Sequence, residues 1–275
     1  MFYTDMSKNR QNRPSQSRSE GGRGEWLFGR RPVAEALRAG RRHFFELRIL
    51  DSALRGDGES ELYEIRNMAS ALGATVVQTD RRDFDNLLGD VNHQGVALRS
   101  GAFPYTDFDE LIAAVNDDPQ ATVLILDHIE DPQNVGSLLR TADASGVTGV
   151  VIPEDRCSGV TAAAVRASAG ASEHLRVSKV VNLARAIDEL KENECWITGL
   201  DWGDDAKYYT EIDFRGRCGI VVGNEGHGIG RLVRDKCDFI AMLPMRGAVS
   251  SLNASVAGGI TMYEILRQKS AAENA

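Results

Sequence analysis

The feature that most constrains this chain is an alternation of short apolar runs and helix-like segments through its second half. The apolar runs occupy residues 122–126, 149–152, 196–200, 219–222 and 240–243. The segments 135–144, 161–170, 183–192 and 255–267 have helical patterns. Strands that are buried on both faces read as continuous apolar runs, and in parallel sheets they alternate with helices. The pattern therefore predicts an α/β domain over residues 120–270, with a mostly parallel sheet covered on both faces.

The first half of the chain predicts a smaller α/β module over residues 25–100. Helices are expected at 33–40 and 59–72, where Gly40 and Gly73 end them, and strands at 45–50, 74–78 and 96–98. Several arginines lie in its loops, which suits RNA binding. Residues 101–119, with a short helix at 107–115, are interpreted as a linker. Residues 1–24 are polar and more basic than acidic, and they predict a flexible basic tail.

Composition narrows the function classes. The formal net charge of −8 argues against a protein that coats nucleic acid non-specifically. No apolar run reaches the roughly 18 residues of a membrane span, and the first residues lack the apolar core of a secretory signal. The four cysteines form no CxxC pair and no zinc spacing, so we expect reduced thiols, a cytoplasmic protein and no metal site.

Three polar segments each follow an apolar run. They are DHIEDPQNVGSLLRTA from residue 127, GNEGHG from residue 223 and PMRGAVSSLNASVA from residue 244. Taken singly each has an ordinary explanation: Asn134 a helix cap, Arg140 a surface ion pair, the glycines a turn. Ligands in open α/β sheets bind beyond the carboxyl ends of the strands, so together the segments predict one site.

In this order the three segments resemble the motifs of the SpoU branch of the SPOUT methyltransferases. The first module, through Phe28-Gly29 and His93–Gln94–Gly95–Val96, resembles the substrate-binding domain of the ribosomal RNA ribose methyltransferases. The resemblance implies a deep trefoil knot in the loops around 223–228 and 242–253. It also implies a homodimer whose active site lies near the subunit interface.

The resemblance further implies that S-adenosyl-L-methionine is the co-substrate and that no metal takes part. The cofactor contacts map largely onto the backbone of Gly223, Leu243 and Leu252. Glycine suits such contacts because a ligand packed against main chain leaves no room for a Cβ.

Five residues are implied at the reacting end of the site: Asn134, Arg140, Glu225, Ser251 and Asn253. A guanidinium does not lose its proton in proteins, so we assign Arg140 to binding the adjacent phosphate and stabilising the developing alkoxide. Glu225 would orient Arg140 or accept the proton. Ser251 and Asn253 would bind the ribose or shape the cofactor loop. Arg246 stands where relatives often carry a neutral residue, and it is either a phosphate contact or a solvated side chain.

The predicted function is S-adenosylmethionine-dependent 2′-O-ribose methylation of ribosomal RNA, with a guanosine of large-subunit (23S) RNA as target. A tRNA ribose methyltransferase is the first alternative, and the separate N-terminal module favours rRNA over it. A catalytically silent RNA-binding protein of the same fold is the second. A nicotinamide dehydrogenase is disfavoured, because no GxGxxG follows the first strand of either domain.

Overall fold

The computed structural model describes residues 24–55, 59–249 and 251–273. Apart from Gly24, the predicted tail lies outside these residues. Within them, no helix is long and apolar enough to cross a membrane. All four cysteines of the chain are described, and all are free thiols, as expected.

The first module is built on a four-stranded sheet in the described residues, with strand order β1-β4-β2-β3. Strand β4 is antiparallel to β1 and β2, and β3 is parallel to β2. The strands are β1 (Glu25–Phe28), β2 (Phe44–Leu50), β3 (Thr75–Thr79) and β4 (Val96–Ser100), and the helices are α1 (Arg30–Ala39), α2 (Glu59–Ala71) and α3 (Arg81–Leu88). Side chains alternate along β2. Leu47 and Ile49 join the core under α1 and α2, whereas Leu50 packs against Phe84 of α3.

The second domain contains a seven-stranded sheet in the described part of the chain, in the order β7-β6-β5-β10-β8-β11-β9. Each neighbouring pair is parallel, as predicted. Its strands are β5 (Thr122–Asp127), β6 (Gly149–Pro153), β7 (Val177–Val180), β8 (Trp196–Leu200), β9 (Lys207–Tyr208), β10 (Cys218–Gly223) and β11 (Phe239–Met242). Its helices are α4 (Phe108–Asp117), α5 (Pro132–Ala144), α6 (Ala162–Ala167), α7 (Leu183–Glu192), α8 (Arg231–Arg234) and α9 (Ala254–Glu273).

Both faces of this sheet are covered, because alternate residues of the central strands point to opposite sides. Leu124 and Val222 share a core with α5, α6 and α9. Val123 and Val221 share a second core with α4 and α7. Helix α4 lies within the segment interpreted as a linker, and it packs on the sheet through buried Leu111 and Val115. The trefoil knot implied by the resemblance stays a prediction.

Some local predictions need correction. Strands β1, β7 and β9 and helices α3 and α8 were not predicted. The helix expected over 161–170 ends at Ala167, because Ala169 and Gly170 adopt positive φ angles of 53° and 89°. Helix α5 begins three residues earlier than expected, at Pro132, where the Asp131 side chain accepts a hydrogen bond from the Gln133 nitrogen at 3.0 Å.

The two domains are joined by a buried ion pair. The Arg42 guanidinium donates to both carboxylate oxygens of Glu173 at 2.9 and 2.7 Å, and it also contacts Glu25. The side chains of Arg42 and Glu173 are fully buried. Burial opposes the charge on Arg42, but the carboxylates outweigh it and raise the pKa of Arg42. Removing one partner would leave an uncompensated buried charge, so the pair fixes the domains to each other.

Candidate active site

A cavity of about 260 Å³ lies at the carboxyl edge of the seven-stranded sheet. The ends of β10, β8 and β11 meet there, with Val222 paired to Leu200 and Leu200 paired to Ala241. The wall also includes the segments that follow β10 and β11. The cavity is lined by Leu200, Asp201, Trp202, Val222, Gly223, Asn224, Glu225, His227, Gly228, Ala241, Met242, Leu243, Met245, Ser251, Leu252, Ala254 and Ala257. The structure therefore brings together all three predicted cofactor positions, and Glu225 and Ser251 with them.

The loop after β10 closes tightly on itself. The Asn224 nitrogen donates to the Gly228 oxygen at 3.0 Å, and the Gly228 nitrogen donates to the Asn224 oxygen at 2.8 Å. A Cβ at Gly223 would overlap the Gly228 carbonyl and lie 2.5 Å from the Ile229 nitrogen. Glycine is thus required at position 223 by the returning backbone of its own loop, a different reason from the ligand contact inferred from the sequence.

Two further contacts anchor this loop to the end of β5. The Asn224 side chain donates to the His128 carbonyl at 3.0 Å. The carboxylate of Asp127, which is fully buried, accepts from the Gly230 nitrogen at 2.6 Å and also contacts the His128 ring. Asp127 and His128 lie in the first motif, but sequence reasoning gave them no role. Their contacts hold the turn that presents Glu225.

Three of the five predicted reacting-end residues form one hydrogen-bonded cluster. Asn134 Nδ2 donates to Glu225 Oε1 at 3.0 Å, and Asn253 Nδ2 donates to Asn134 Oδ1 at 2.9 Å. Asn253 Nδ2 also contacts Glu225 Oε1. The cluster joins the first turn of α5, the loop after β10 and the residue before α9.

The cluster leaves Glu225 with unused accepting capacity. Its Oε1 accepts from both asparagines and, at 3.4 Å, from the Ala254 nitrogen. No residue that the structure describes donates a hydrogen bond to Oε2. An ionised carboxylate has lone pairs on both oxygens, so Glu225 is held firmly by one oxygen while the other can accept from a ligand hydroxyl.

The two asparagines differ in what else they do. Asn134 is 8% exposed, and both atoms of its amide are engaged within the cluster. It is not the cap of α5, since Asp131 serves there. Asn253 has a second role, because its Oδ1 accepts from the Ser255 and Val256 nitrogens at 3.0 and 3.2 Å and so caps α9.

Arg140 and Ser251 stay outside the cluster. Arg140 is exposed on α5, and its guanidinium forms no hydrogen bond or ion pair with any described residue. Glu225 contacts the two asparagines rather than Arg140. Ser251 is exposed at the cavity wall, and Arg246 is exposed in the same loop. The roles assigned to these residues from the resemblance stay predictions.

Sequence reasoning missed the segment that follows β8. Leu200, Asp201 and Trp202 line the cavity, and Asp201 Oδ1 accepts from the Trp202 nitrogen at 2.8 Å. Arg234 approaches the Asp201 carboxylate at 3.5 Å. Only the position of these residues in the chain could have indicated a role. A residue just beyond a strand that neighbours β10 lies at the ligand-binding edge of a parallel sheet.

The lining residues fit S-adenosylmethionine. The cavity has an apolar wall, which suits an adenine ring and the methylene groups of the ligand; it is formed by Leu200, Val222, Ala241, Leu243 and Leu252. Asp201 places a carboxylate among the same lining residues, where it can face a cationic group of the ligand. Among the described residues there is no group of three or more His, Cys, Asp or Glu side chains that could hold a metal ion.

Comparison with known proteins gives the same assignment. Residues 121–263 match the SpoU rRNA Methylase family, and residues 26–106 match the family described as RNA 2′-O ribose methyltransferase substrate binding. YacO of Bacillus subtilis, named as a TrmH family tRNA/rRNA methyltransferase, is 38% identical over 246 residues, which cover 89% of this chain and 96% of YacO. A protein of Staphylococcus saprophyticus with the same family name is 42% identical over 244 residues, 88% of this chain and 95% of its own.

Solved structures share the fold. The SpoU methyltransferase AviRb of Streptomyces viridochromogenes superposes with a TM-score of 0.74, covers 92% of both chains and is 23% identical. The rRNA methyltransferase of Sinorhizobium meliloti, solved with bound AdoMet, has a TM-score of 0.72 and 22% identity and covers 88% of this chain and 86% of its own. On the family match and the identity to its relatives, this chain belongs to the SpoU rRNA methylase family.

Proposed function

We propose that this protein transfers a methyl group from S-adenosylmethionine to a ribose 2′-hydroxyl of ribosomal RNA, with a guanosine of the large-subunit RNA as the target. The observation that carries the proposal is the Asn134–Glu225–Asn253 cluster beside the cavity. A protein that only binds RNA has no need of a carboxylate fixed by two amides at the wall of a cavity at the ligand-binding edge of the sheet. The family match supports the same reaction class.

In this reaction the main task of the protein is to position the two reactants. S-adenosylmethionine supplies an electrophilic methyl group on a sulfonium, which is an excellent leaving group. Gly223, Leu243 and Leu252 would hold it in the cavity. A ribose hydroxyl is a poor nucleophile at neutral pH and needs its proton removed or polarised. Glu225 Oε2 accepts the hydrogen bond of that hydroxyl, while Asn134 and Asn253 keep the carboxylate from rotating away.

Arg140 completes the site from the exposed face of α5. Its guanidinium binds the phosphate next to the reacting ribose and stabilises negative charge as the hydroxyl oxygen attacks. The absence of any partner among the described residues suits this role, because a guanidinium already paired to a carboxylate would be less available to a phosphate. Ser251, at the cavity wall, would hydrogen-bond the ribose or shape the cofactor loop.

We also propose that the working form is a homodimer. Helix α9 exposes an apolar stripe spaced by about one turn: Val256, Ile260, Tyr263 and Leu266, at 48, 38, 52 and 37% exposure. Gly259, between them, lies against Thr141, the neighbour of Arg140 in α5. This contact supports the proposal that a second copy seated on the stripe would also approach the Arg140 surface, so that the reacting end would lie near the subunit interface.

Two RNA classes, rRNA and tRNA, are candidate substrates for this reaction. The separate N-terminal module favours rRNA, and the matched family is named for rRNA methylation. The relatives are named as tRNA/rRNA enzymes, so tRNA is the second candidate.

The test incubates the purified protein and S-adenosylmethionine with unmodified large-subunit rRNA and, separately, with unmodified tRNA. Ribose methylation is then mapped by mass spectrometry. A 2′-O-methylguanosine in the rRNA alone is expected. Methylation of tRNA alone would refute the rRNA assignment, and no methylation of either RNA despite cofactor binding would refute the enzyme assignment.

A further inference from the structure

A second cavity, of about 500 Å³, lies at the junction of the two domains. The start of α1 contributes Gly29, Arg30 and Arg31, and the turn before β4 contributes Gln94. The end of α6 contributes Arg166 from the other domain. Three guanidinium-bearing residues from two domains therefore border one concave surface, in a chain whose formal net charge is −8.

Two of these arginines have no compensating carboxylate. Arg31 and Arg166 are exposed, and neither guanidinium forms a hydrogen bond or ion pair with a described residue. The guanidinium carbon of Arg166 lies 5.2 Å from the centre of the Phe28 ring, which fixes the side chain without neutralising it. Glu61, the acidic residue in the lining, lies 3.6 Å from Arg30.

Helix α1 adds to the positive potential of this cavity. Its first turn begins with Arg30 and Arg31 and contains no acidic residue, and the neutral Gln94 side chain accepts from the Arg30 nitrogen at 2.9 Å. The N-terminal end of a helix carries partial positive charge, so two cations there are unfavourable without an anion nearby. An anion in the cavity would face the helix end, Arg31 and Arg166 together.

The cavity lies on the same side of the large sheet as the candidate active site. Helix α6 packs on α5 where a Cβ at Gly136 would overlap Ala167 and lie 2.6 Å from the Ala164 oxygen. Gly136 is two residues from Asn134 in the cluster, and Ala167 is next to Arg166. The α5–α6 contact therefore joins the helix that carries Asn134 directly to the helix that carries Arg166.

We propose that this junction cavity binds a phosphate of the RNA backbone and fixes the substrate's register on both domains at once. The inference rests on the proposed function for the identity of the RNA. Guanidinium groups match phosphate oxygens with two parallel hydrogen bonds, and such contacts position a nucleic acid without reading its sequence. The face of Phe28 is already covered by Arg166, so a contact to backbone phosphate is favoured over base stacking.

The test compares Arg31→Ala, Arg166→Ala and the double variant with Arg185→Ala. Arg185 is a matched control: it is exposed, forms only a surface pair with Glu189, and lies on α7 across the sheet from α6. RNA affinity is measured on a large-subunit rRNA fragment over a range of salt concentrations. Thermal melting and S-adenosylmethionine titration of each variant report on the fold and the cofactor site.

Each single variant is expected to lose about three- to tenfold in RNA affinity. The double variant, which removes the phosphate contact, should reduce the magnitude of the negative slope of log affinity against log salt by about 0.7–0.9, the contribution of one phosphate. The double variant should lose less than the product of the single losses, because both arginines hold the same phosphate. Replacement of either arginine by lysine should keep most of the salt slope, since the charge is retained. Melting and cofactor affinity should match the wild type.

A salt slope of the double variant equal to that of Arg185→Ala would overturn the inference. So would stabilisation of the wild type, but not of Arg31→Ala, by micromolar inorganic phosphate together with an unchanged RNA slope, because the site would then take free phosphate. Both outcomes are distinguishable from failure of the proposed function. In that case the wild type binds S-adenosylmethionine yet methylates no RNA, whatever the salt slopes are.

Discussion

Replacement of Arg140 by alanine separates catalysis from stability more cleanly than any other change in the site. The guanidinium has no partner among the described residues, and the side chain is exposed in the third turn of α5. Alanine is also a good helix former. The free energy of unfolding should therefore change by no more than about 0.5 kcal/mol, the usual range for such surface substitutions.

Turnover should respond differently. If Arg140 stabilises charge that develops as the 2′-oxygen attacks, its removal costs about a hundred- to a thousandfold, the usual loss for one donor to a developing oxyanion. Arg140→Lys should restore little, because an ammonium cannot reproduce the planar two-pronged contact. Cofactor affinity should stay near that of the wild type, since Gly223, Leu243 and Leu252 line the cavity and Arg140 does not.

The assay is single-turnover methylation of an rRNA fragment with saturating cofactor, alongside calorimetric titration of S-adenosylmethionine and thermal melts. Arg82→Ala is the control, because Arg82 is an exposed arginine on α3 whose guanidinium likewise has no partner among the described residues. Near-normal turnover in Arg140→Ala would refute the catalytic role and leave Glu225 as the main candidate. A large drop in melting temperature would refute the inference that Arg140 has no structural role.

Three more predictions follow from the described contacts. Glu225→Gln keeps one carbonyl oxygen for the two asparagines but removes the negative charge. Single-turnover methylation should therefore fall about a hundredfold or more, while the melting temperature stays within a few degrees of the wild type. Unchanged turnover would exclude Glu225 as the proton acceptor. Burial raises the pKa of Cys157 to about 12, so at pH 8 iodoacetamide should label its thiol only after denaturation. Peptide mass spectrometry measures the labelling, and fast labelling in the native protein would contradict that burial. Ile260→Asp places a charge in the exposed apolar stripe of α9 and should convert the dimer to a monomer in sedimentation at micromolar concentration. A wild type that already sediments as an active monomer would contradict the assembly proposal.

The elements that sequence reasoning found and those it missed differ in where they lie in the sheets. Strands β5, β6, β8, β10 and β11 lie inside the seven-stranded sheet, and their continuous apolar runs made them recognisable. The two missed strands of that sheet are its edges. Strand β7 carries the exposed Lys179, and β9 consists of two exposed residues. Edge strands are short and charged because one side faces solvent, which removes the apolar signal.

Short length explains the strand that was missed in the N-terminal module. Strand β1 is a four-residue edge strand, so its pattern is too short to show a period. Helix α3 has eight residues; it buries Phe84, and Leu88, four residues later, packs against the same cluster. Its apolar residues, Phe84, Leu87 and Leu88, have helical spacing but span little more than one turn, which is too short a repeat to predict a helix with a stable apolar face.

For the site, the motifs identified residues but not the bonds between them. Asn134, Glu225 and Asn253 are separated by about a hundred residues or by a whole strand and loop, so spacing could not show that one Oε1 atom accepts from both asparagines. Asp201 could not be predicted as a lining residue for another reason. It belongs to no motif and lines the cavity only because β8 pairs with β10.

Asn253 connects the wall of the cavity with the cluster of Asn134, Glu225 and Asn253. Its Nδ2 holds Glu225 and Asn134, its Oδ1 caps α9, and the residue before it, Leu252, lines the cavity. A displacement of Leu252 is therefore transmitted along the backbone to the side chain that fixes Glu225. The cap makes this connection stiff, because Asn253 cannot rotate without losing hydrogen bonds to the first turn of α9, which are worth about 1 kcal/mol in comparable helices. The geometry thus ties the shape of the cavity to the orientation of the Glu225 carboxylate, for which we propose contact with the ribose.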